Sequence, residues 1–320
     1  MEHKLRNEVD ISVVIPVFNE AQSLFELYGR LAASVSEISR NYELIFVDDG
    51  SSDDSFEVLK KLAANDDRVF YLRLSRNFGH QLAVSAGLDV VRGRVTVIID
   101  GDLQDPPELI PKLYEKYLEG YEVVYARRRL RKGESFLKKW SAYFFYRLLR
   151  RLTATDIPVD TGDFRLIDRK IVEYLRRMPE QNKFLRGQIA WLGFRQAAVF
   201  FDRDERRYGK TGYSLRKMLH FALDGITAFS EKPLQWVTQL GFLISFVAFL
   251  VLLYALYSYF ILHRVIAGWT SLIITSMLIG GVQLISIGII GEYISRINRN
   301  VLNRPLYIVA EQNLEEGDEA

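Results

Sequence analysis

The sequence predicts an α/β domain built on a doubly wound, mostly parallel sheet, followed by amphipathic helices and a hairpin of two apolar helices. Three observations carry this. Short β-branched runs alternate with helical stretches through the first hundred residues, the rhythm of strands joined by right-handed crossovers. Each run ends in a polar or acidic cluster, as strand ends do where an open α/β sheet holds its ligand. Near the C-terminus, Pro233 to Leu262 and Val265 to Gly291 carry no charged residue. Both exceed the roughly 20 apolar residues that cross a bilayer core.

Ile11 to Val17 is the first buried strand, closed by Phe18-Asn19-Glu20 before a helix from about Ala21 to Arg40. Leu44 to Val47 is the second, ending in Asp48-Asp49-Gly50-Ser51-Ser52-Asp53, where Ser52 or Asp53 suits the cap of a helix running to Asn65. Val69 to Leu74 is the third, followed by Arg76-Asn77 and a helix over 81–91. Val95 to Ile99 is the fourth and leads into Asp100-Gly101-Asp102-Leu103-Gln104-Asp105. Pro106 and Pro107 stop the sheet there and allow a helix near Glu108. Tyr121 to Ala126 reads as a further strand, followed by the basic run Arg127 to Lys132.

In this arrangement Asn19-Glu20, Asp48-Asp49, Arg76-Asn77 and Asp100-Asp102 converge on one rim. Acids at such a rim can hydrogen-bond the ring edge or hydroxyls of a nucleoside, and Arg76 can grip a phosphate as a bidentate fork. Asp100 and Asp102 are hard oxygen ligands suited to Mg²⁺ or Mn²⁺, ions that complete their shell with substrate phosphates. No Walker string and no Gly-x-Gly-x-x-Gly follows the first strand, so the expected nucleotide is bound through carboxylates and metal.

The 320 residues suffice for one large domain plus an appendage. Lys+Arg 42 against Asp+Glu 40 gives a net charge of +2 and no reason to expect a nucleic-acid partner. With Cys 0, disulfides, zinc-thiolate sites and thiol catalysis are excluded. Residues 1–10 are charged and run straight into a strand, so no cleavable signal peptide is expected.

Phe136, Trp140, Phe144, Leu148 and Leu152 make an i+4 stripe within a basic helix over 134–152. Within 213–232, Arg216, Lys217, His220, Asp224 and Thr227 oppose Leu215, Met218, Leu219, Ala222, Ile226 and Phe229, the pattern of a helix lying in a membrane interface. His263-Arg264 is the charged break between the two spans, about 234–262 and 266–290. Arg296, Arg299 and Arg304 follow the second, so the positive-inside rule places both termini in the cytoplasm. In the tail (293–320), Leu306 to Ala310 is expected to pair as a strand with a neighbouring chain, with Glu311 to Ala320 loose.

Val14-Ile15-Pro16-Val17-Phe18-Asn19-Glu20, Val47-Asp48-Asp49-Gly50-Ser51, Asp100 to Glu108 and Asp160-Thr161-Gly162-Asp163-Phe164-Arg165-Leu166 together resemble family 2 glycosyltransferases of GT-A fold. With the C-terminal hairpin, the chain resembles their polyisoprenyl-phosphate branch, the bactoprenol glucosyltransferases, related to dolichol-phosphate mannose synthase. The resemblance spans residues 9 to 305. It implies a catalytic domain over 1–212 and inverting transfer of a hexose, glucose from UDP-glucose being favoured, onto undecaprenyl phosphate. GlcNAc, galactose, mannose or a modified arabinose remain alternative sugars, and a processive polysaccharide synthase an alternative activity. That synthase would want a Gln-x-x-Arg-Trp string, whereas Gln188-Ile189-Ala190-Trp191 lacks the arginine.

The resemblance further implies a donor site formed by Pro16, Phe18, Glu20, Asp48, Asp49, Arg76, Asn77, Gln81, Asp100, Gly101, Asp102 and Gln104, with the divalent ion on Asp100 and Asp102. Arg127 and Arg128, then Arg206, Lys210 and Ser214, are the expected phosphate and acceptor contacts. Asp163 is the candidate base or orienting group, with Asp160 beside it, and a homo-oligomer in the membrane is expected. The acceptor phosphate is already an anion at neutral pH, so a base is chemically optional.

Overall fold

The computed structural model describes residues 9–128, 161–181, 183–201, 232–261 and 268–314. Asp160, the helix expected at 134–152, the amphipathic stretch before Lys232, and Arg206, Lys210 and Ser214 lie outside the described residues, as does the side chain of Arg128.

The first half follows the expected alternation: β1 (Ile11–Val17), α1 (Leu24–Ser36), β2 (Tyr42–Asp48), α2 (Ser55–Asn65), β3 (Val69–Leu74), α3 (His80–Val90) and β4 (Val95–Ile98). A 3₁₀ turn at Pro107–Leu109 opens α4 (Ile110–Leu118), as the proline pair requires. Then come β5 (Val123–Arg128), β6 (Thr161–Asp168), α5 (Arg169–Arg177), α6 (Leu185–Trp191) and β7 (Gln196–Phe201). Two long helices, α7 (Lys232–Phe260) and α8 (Trp269–Leu302), precede the final strand β8 (Val309–Gln312).

Eight strands form one sheet in the order β7-β5-β6-β4-β1-β2-β3-β8. β3, β2, β1 and β4 run parallel, and every residue of β1 and β2 is buried, which is why these runs are mostly apolar; buried Glu43 of β2 is paired with Ser12 Oγ (2.6 Å) and Arg92 (2.7 Å). One face is packed by α1, α2 and α4 through Leu24, Leu27, Leu31, Leu59, Ile110 and Leu113. The other is packed by α3, α5 and α6 through Ala83, Val84, Ile171, Leu175, Leu185 and Ile189. The sheet is therefore doubly wound.

β6 runs antiparallel to both neighbours, and this matters most for the site. Its register sets Arg165 opposite Ile98. Two further steps along each chain bring Asp163, at the start of β6, beside Asp100, just past the end of β4. β5 pairs with β6 so that Arg127 meets Thr161, which carries Arg127 to the same rim.

The tail departs from expectation. β8 pairs antiparallel with β3 of its own chain, Leu72 opposite Gln312 and Leu74 opposite Val309, so Glu311 and Gln312 are ordered in a strand. β3 would otherwise be an open edge, and a strand tethered a few residues beyond α8 reaches it at high effective concentration. Left-handed Asn303 (φ 43°) ends α8, Tyr307 Oη donates to Asp89 (2.7 Å), and the Ser75 amide donates to the Ile308 carbonyl (2.9 Å). Within α8, Thr275–Leu302 is long and apolar enough to cross a membrane, with mean hydropathy 1.7; α7 holds the shorter apolar stretch Val237–Val251.

Candidate active site

The rim cavity, about 260 Å³, is lined by Pro16, Phe18 and Glu20 at the end of β1 and just beyond it, Asp49 after β2, Asn77 and Gly79 before α3, His80 at its start, and Asp100, Gly101 and Asp102 after β4. Of the strand-end groups expected on one rim, Glu20, Asp49, Asn77, Asp100 and Asp102 meet here, whereas Asn19, Asp48 and Arg76 do not line the cavity.

Local chemistry explains how the loops hold one another. Asn19 adopts φ 57°, a left-handed conformation that asparagine tolerates. Its Oδ1 accepts from the amides of Ser52 (2.8 Å) and Asp53 (3.4 Å), while Ser51 Oγ accepts from the Asn19 amide (3.0 Å). The first loop is thus laced to the second. Asp53 Oδ1 accepts from the Ser55 amide (3.0 Å), but the N-cap position of α2 is Asp54, not the expected Ser52 or Asp53, and its side chain makes no capping hydrogen bond. Ser23 Oγ donates to the Gly101 carbonyl (3.0 Å), tying the first loop to the fourth. A Cβ on Gly101 would lie 3.1 Å from the Pro16 carbonyl oxygen, which accounts for glycine between the two aspartates.

Asp49 accepts from the amides of Phe78 (2.7 Å) and Gly79 (2.9 Å) and so fixes the loop after β3. Burial pushes its carboxyl up, against the pull of those two amides. Asp48 does not line the cavity. It is wholly buried, faces Arg73 at 3.6 Å, accepts from the Ser51 amide (3.1 Å), and is likewise pushed up by burial. Arg76 lines a neighbouring groove with Gly50, Arg73 and Glu311 and stacks on Phe78, its guanidinium carbon 3.9 Å from the ring centroid. Gln104 is buried, with its amide donating to Asp102 Oδ1 (3.1 Å). Arg127 lies 5.7 Å from the centre of the Phe200 ring.

Asp163 is the hub of the far side. Its Oδ2 meets His80 Nε2 at 3.0 Å and accepts from Gln81 Nε2 at 3.2 Å. Its Oδ1 accepts from Arg186 Nε at 2.7 Å, and Arg165 Nη2 lies 3.8 Å away. Gln81 also accepts from the Leu185 amide (3.1 Å), so it bridges α3 to α6 instead of lining the cavity. Burial alone would raise the Asp163 carboxyl, but the charge of Arg186 and the hydrogen bonds from His80 and Arg186 outweigh it and hold it well below the usual range. Burial disfavours charge on His80, yet Asp163 and Asp100 raise its imidazole to about 9. Arg165 is pushed down to about 10 by burial.

Asp100 sits between the two clusters. Its Oδ1 is buried without a hydrogen-bond partner, with His80 Nε2 at 3.6 Å, and burial raises its carboxyl to about 6 despite that neighbour. An orphaned buried carboxylate oxygen beside a second acid two residues on is a donor set that a hard divalent cation fits. Among the described residues no group of three or more His, Cys, Asp or Glu forms a complete metal cage. Such an ion therefore needs further oxygens from its substrate.

Sequence reasoning missed His80, Arg165 and Arg186 as site residues. Arg165 lies inside the Asp160 to Leu166 motif, and His80 directly follows the polar end of the third strand. Arg186 lies outside every motif, and only the fold connects it to Asp163.

The mixed sheet wound on both faces, with acids at the strand ends, has the GT-A architecture, and comparison with known proteins gives the family. The model of glycosyl transferase family 2 matches residues 12–176, and the chain belongs to that family. It is a glycosyltransferase. An uncharacterized glycosyltransferase of Bacillus subtilis (strain 168), YkcC, is 49% identical over 305 residues, covering 95% of this chain and 94% of the relative. The SfII prophage-derived bactoprenol glucosyl transferase of Shigella flexneri is 38% identical over 299 residues, covering 93% and 97%. Among solved structures, mannosyl-3-phosphoglycerate synthase from Rubrobacter xylanophilus aligns with TM-score 0.48 at 18% identity, covering 73% of this chain and 75% of that one.

Proposed function

We propose that the protein transfers a hexose, glucose being favoured by its likeness to bactoprenol glucosyl transferases, from a UDP-sugar to a polyprenyl phosphate. The observation that carries this reading is the order of groups along the rim: Asp49 and Asn77, then Asp100 and Asp102, then Asp163. That sequence suits a nucleoside, its diphosphate and the reacting sugar in turn. α7 and α8 both cross the membrane in this reading, with the catalytic domain and the tail on the cytoplasmic side.

Asp100 and Asp102 would hold Mg²⁺ or Mn²⁺ together with diphosphate oxygens, and the ion would neutralise charge developing on the leaving group. Asp49 holds the Phe78–Gly79 loop against the nucleoside end. A phosphate oxygen of the lipid attacks the anomeric carbon from the face opposite the diphosphate. The new C–O bond forms as the bond to UDP breaks, UDP leaves with the electron pair, and the anomeric configuration inverts. No proton need move when the acceptor is a dianion. Asp163, ion-paired and strongly acidic, suits orienting the reactants better than accepting a proton.

The test is extraction of lipid from membranes supplied with radiolabelled UDP-sugars. Label in a short, mild-acid-labile phospholipid is expected, and label in long polymer would favour a processive synthase. Asp102→Ala should lower transfer at least about a thousandfold, as loss of leaving-group stabilisation demands. Full activity of that variant, or in excess EDTA, would overturn the reading.

A further inference from the structure

We propose that Arg186 receives the phosphate of the lipid acceptor, and that Asp163 is the positioning residue that holds it there. This rests on the proposed transfer reaction, and it assigns a role to a residue outside every motif of the sequence.

Three observations lead to it. First, the strand order fixes direction along the rim. Parallel β3, β2, β1 and β4 carry the nucleotide end, and the next strand over is β6, where Asp163 stands. An in-line nucleophile must come from beyond the sugar, hence from the β6 side. Second, the two oxygens of Asp163 face different partners. Oδ2 meets His80 and Gln81, on α3 next to the donor cavity, whereas Oδ1 accepts from Arg186 at 2.7 Å, on α6. Arg186 is thus held by the carboxylate oxygen that His80 and Gln81 leave to it, and its side chain remains 27% exposed, enough for a ligand to reach.

Third, the loop before α6 abuts the end of the long apolar helix. The Gln181 amide donates to Asn300 Oδ1 in the last turn of α8 (3.3 Å). Arg186, five positions further on, thus follows closely the segment that joins the catalytic domain to the element that leads into the lipid. A guanidinium is the side chain best matched to a phosphomonoester, through two parallel N–H donors. Three carboxylates surround the reacting centre, and a second anionic substrate approaching them needs a cation at its point of entry. Asp163 is too well paired to act as a base, and what its carboxylate does instead is fix that cation in place.

The experiment is a binding titration of the full-length, detergent-solubilised protein, loaded with UDP and Mn²⁺, using farnesyl phosphate as a short isoprenyl probe. Arg186→Ala is expected to weaken farnesyl phosphate at least about tenfold, and Arg186→Lys, which keeps charge but loses the fork, by roughly three- to fivefold. UDP affinity should stay within about twofold in both, which also certifies folding. Asp163→Asn should weaken the probe in the wild-type background and add nothing in Arg186→Ala, the signature of a residue acting through another. Inorganic phosphate, titrated in parallel, should bind far more weakly than the lipid phosphate. Unchanged farnesyl phosphate affinity in Arg186→Ala, equal loss of UDP and lipid phosphate, additive effects of the two substitutions, or equally tight inorganic phosphate would each overturn the assignment. A wild-type protein that binds farnesyl phosphate through Arg186 but glycosylates no lipid would sink the proposed reaction and leave this site standing. One that binds none would sink both.

Discussion

The two carboxylates that matter most at opposite ends of the rim, Asp49 and Asp163, are the same residue in opposite electrical surroundings. Asp49 is held by neutral backbone amides of Phe78 and Gly79, and burial pushes its carboxyl up. Asp163 is held by side chains that carry charge, Arg186, His80 and Arg165, and is held down. The difference follows from strand direction. Asp49 directly follows a parallel strand and meets the amides of the loop after β3. Asp163 begins an antiparallel one, and its chain direction delivers it to the cationic side chains of α3, α6 and its own strand. In the proposed reaction, neutral fixing suits a group that receives an uncharged ring, and ionic fixing suits one that manages anions.

The largest expected break in that contrast is Asp163→Ala, which strands buried Arg165 together with His80 and Arg186. Removing one partner of a buried charge cluster costs roughly 3–5 kcal/mol. Thermal unfolding in detergent should fall by roughly 10 °C on the scale of a domain this size. An unchanged Tm would mean that the cluster is not ionic in the folded protein.

Gly50→Ala probes the neutral end. Gly50 has φ +70°, and a Cβ there would sit 2.6 Å from the Arg76 carbonyl carbon, so the loop after β3 must move. The expected cost is roughly 1–3 kcal/mol of stability, with UDP binding weakened about tenfold, by calorimetry. Wild-type UDP affinity in this variant would separate the loop from the nucleotide.

The smallest effect belongs to a control far from the rim. Asp66, at the opposite end of β3, is held below the ordinary carboxylate range by hydrogen bonds from Arg68 and Tyr28. Because its folded value is depressed, its contribution is present above the unfolded value and is lost as pH falls through the folded one. Asp66→Asn should cost about 1 kcal/mol near neutrality, given the half-exposed Arg68, with UDP binding intact. The wild-type advantage in urea melts should shrink as pH drops below about 4. A difference independent of pH would exclude the ionic contribution.

The parallel half of the sheet was legible in the chain alone, because strands buried on both faces are predominantly apolar runs and ligand-facing ends are polar. Asp49, Asp100 and Asp102 could be read for that reason, and so could the motif aspartate Asp163. Two features were settled only in three dimensions. The antiparallel entry of β6 is set by pairing between residues some 70 positions apart, so nothing local to Asp163 announces that it will stand beside Asp100. β8 likewise closes the edge of its own sheet because α8 returns the chain to β3, a contact of about 240 residues' separation that no local pattern encodes. Arg186 belongs with these: a lone arginine in a helix looks like surface solvation until the fold brings a buried carboxylate to within 2.7 Å of it.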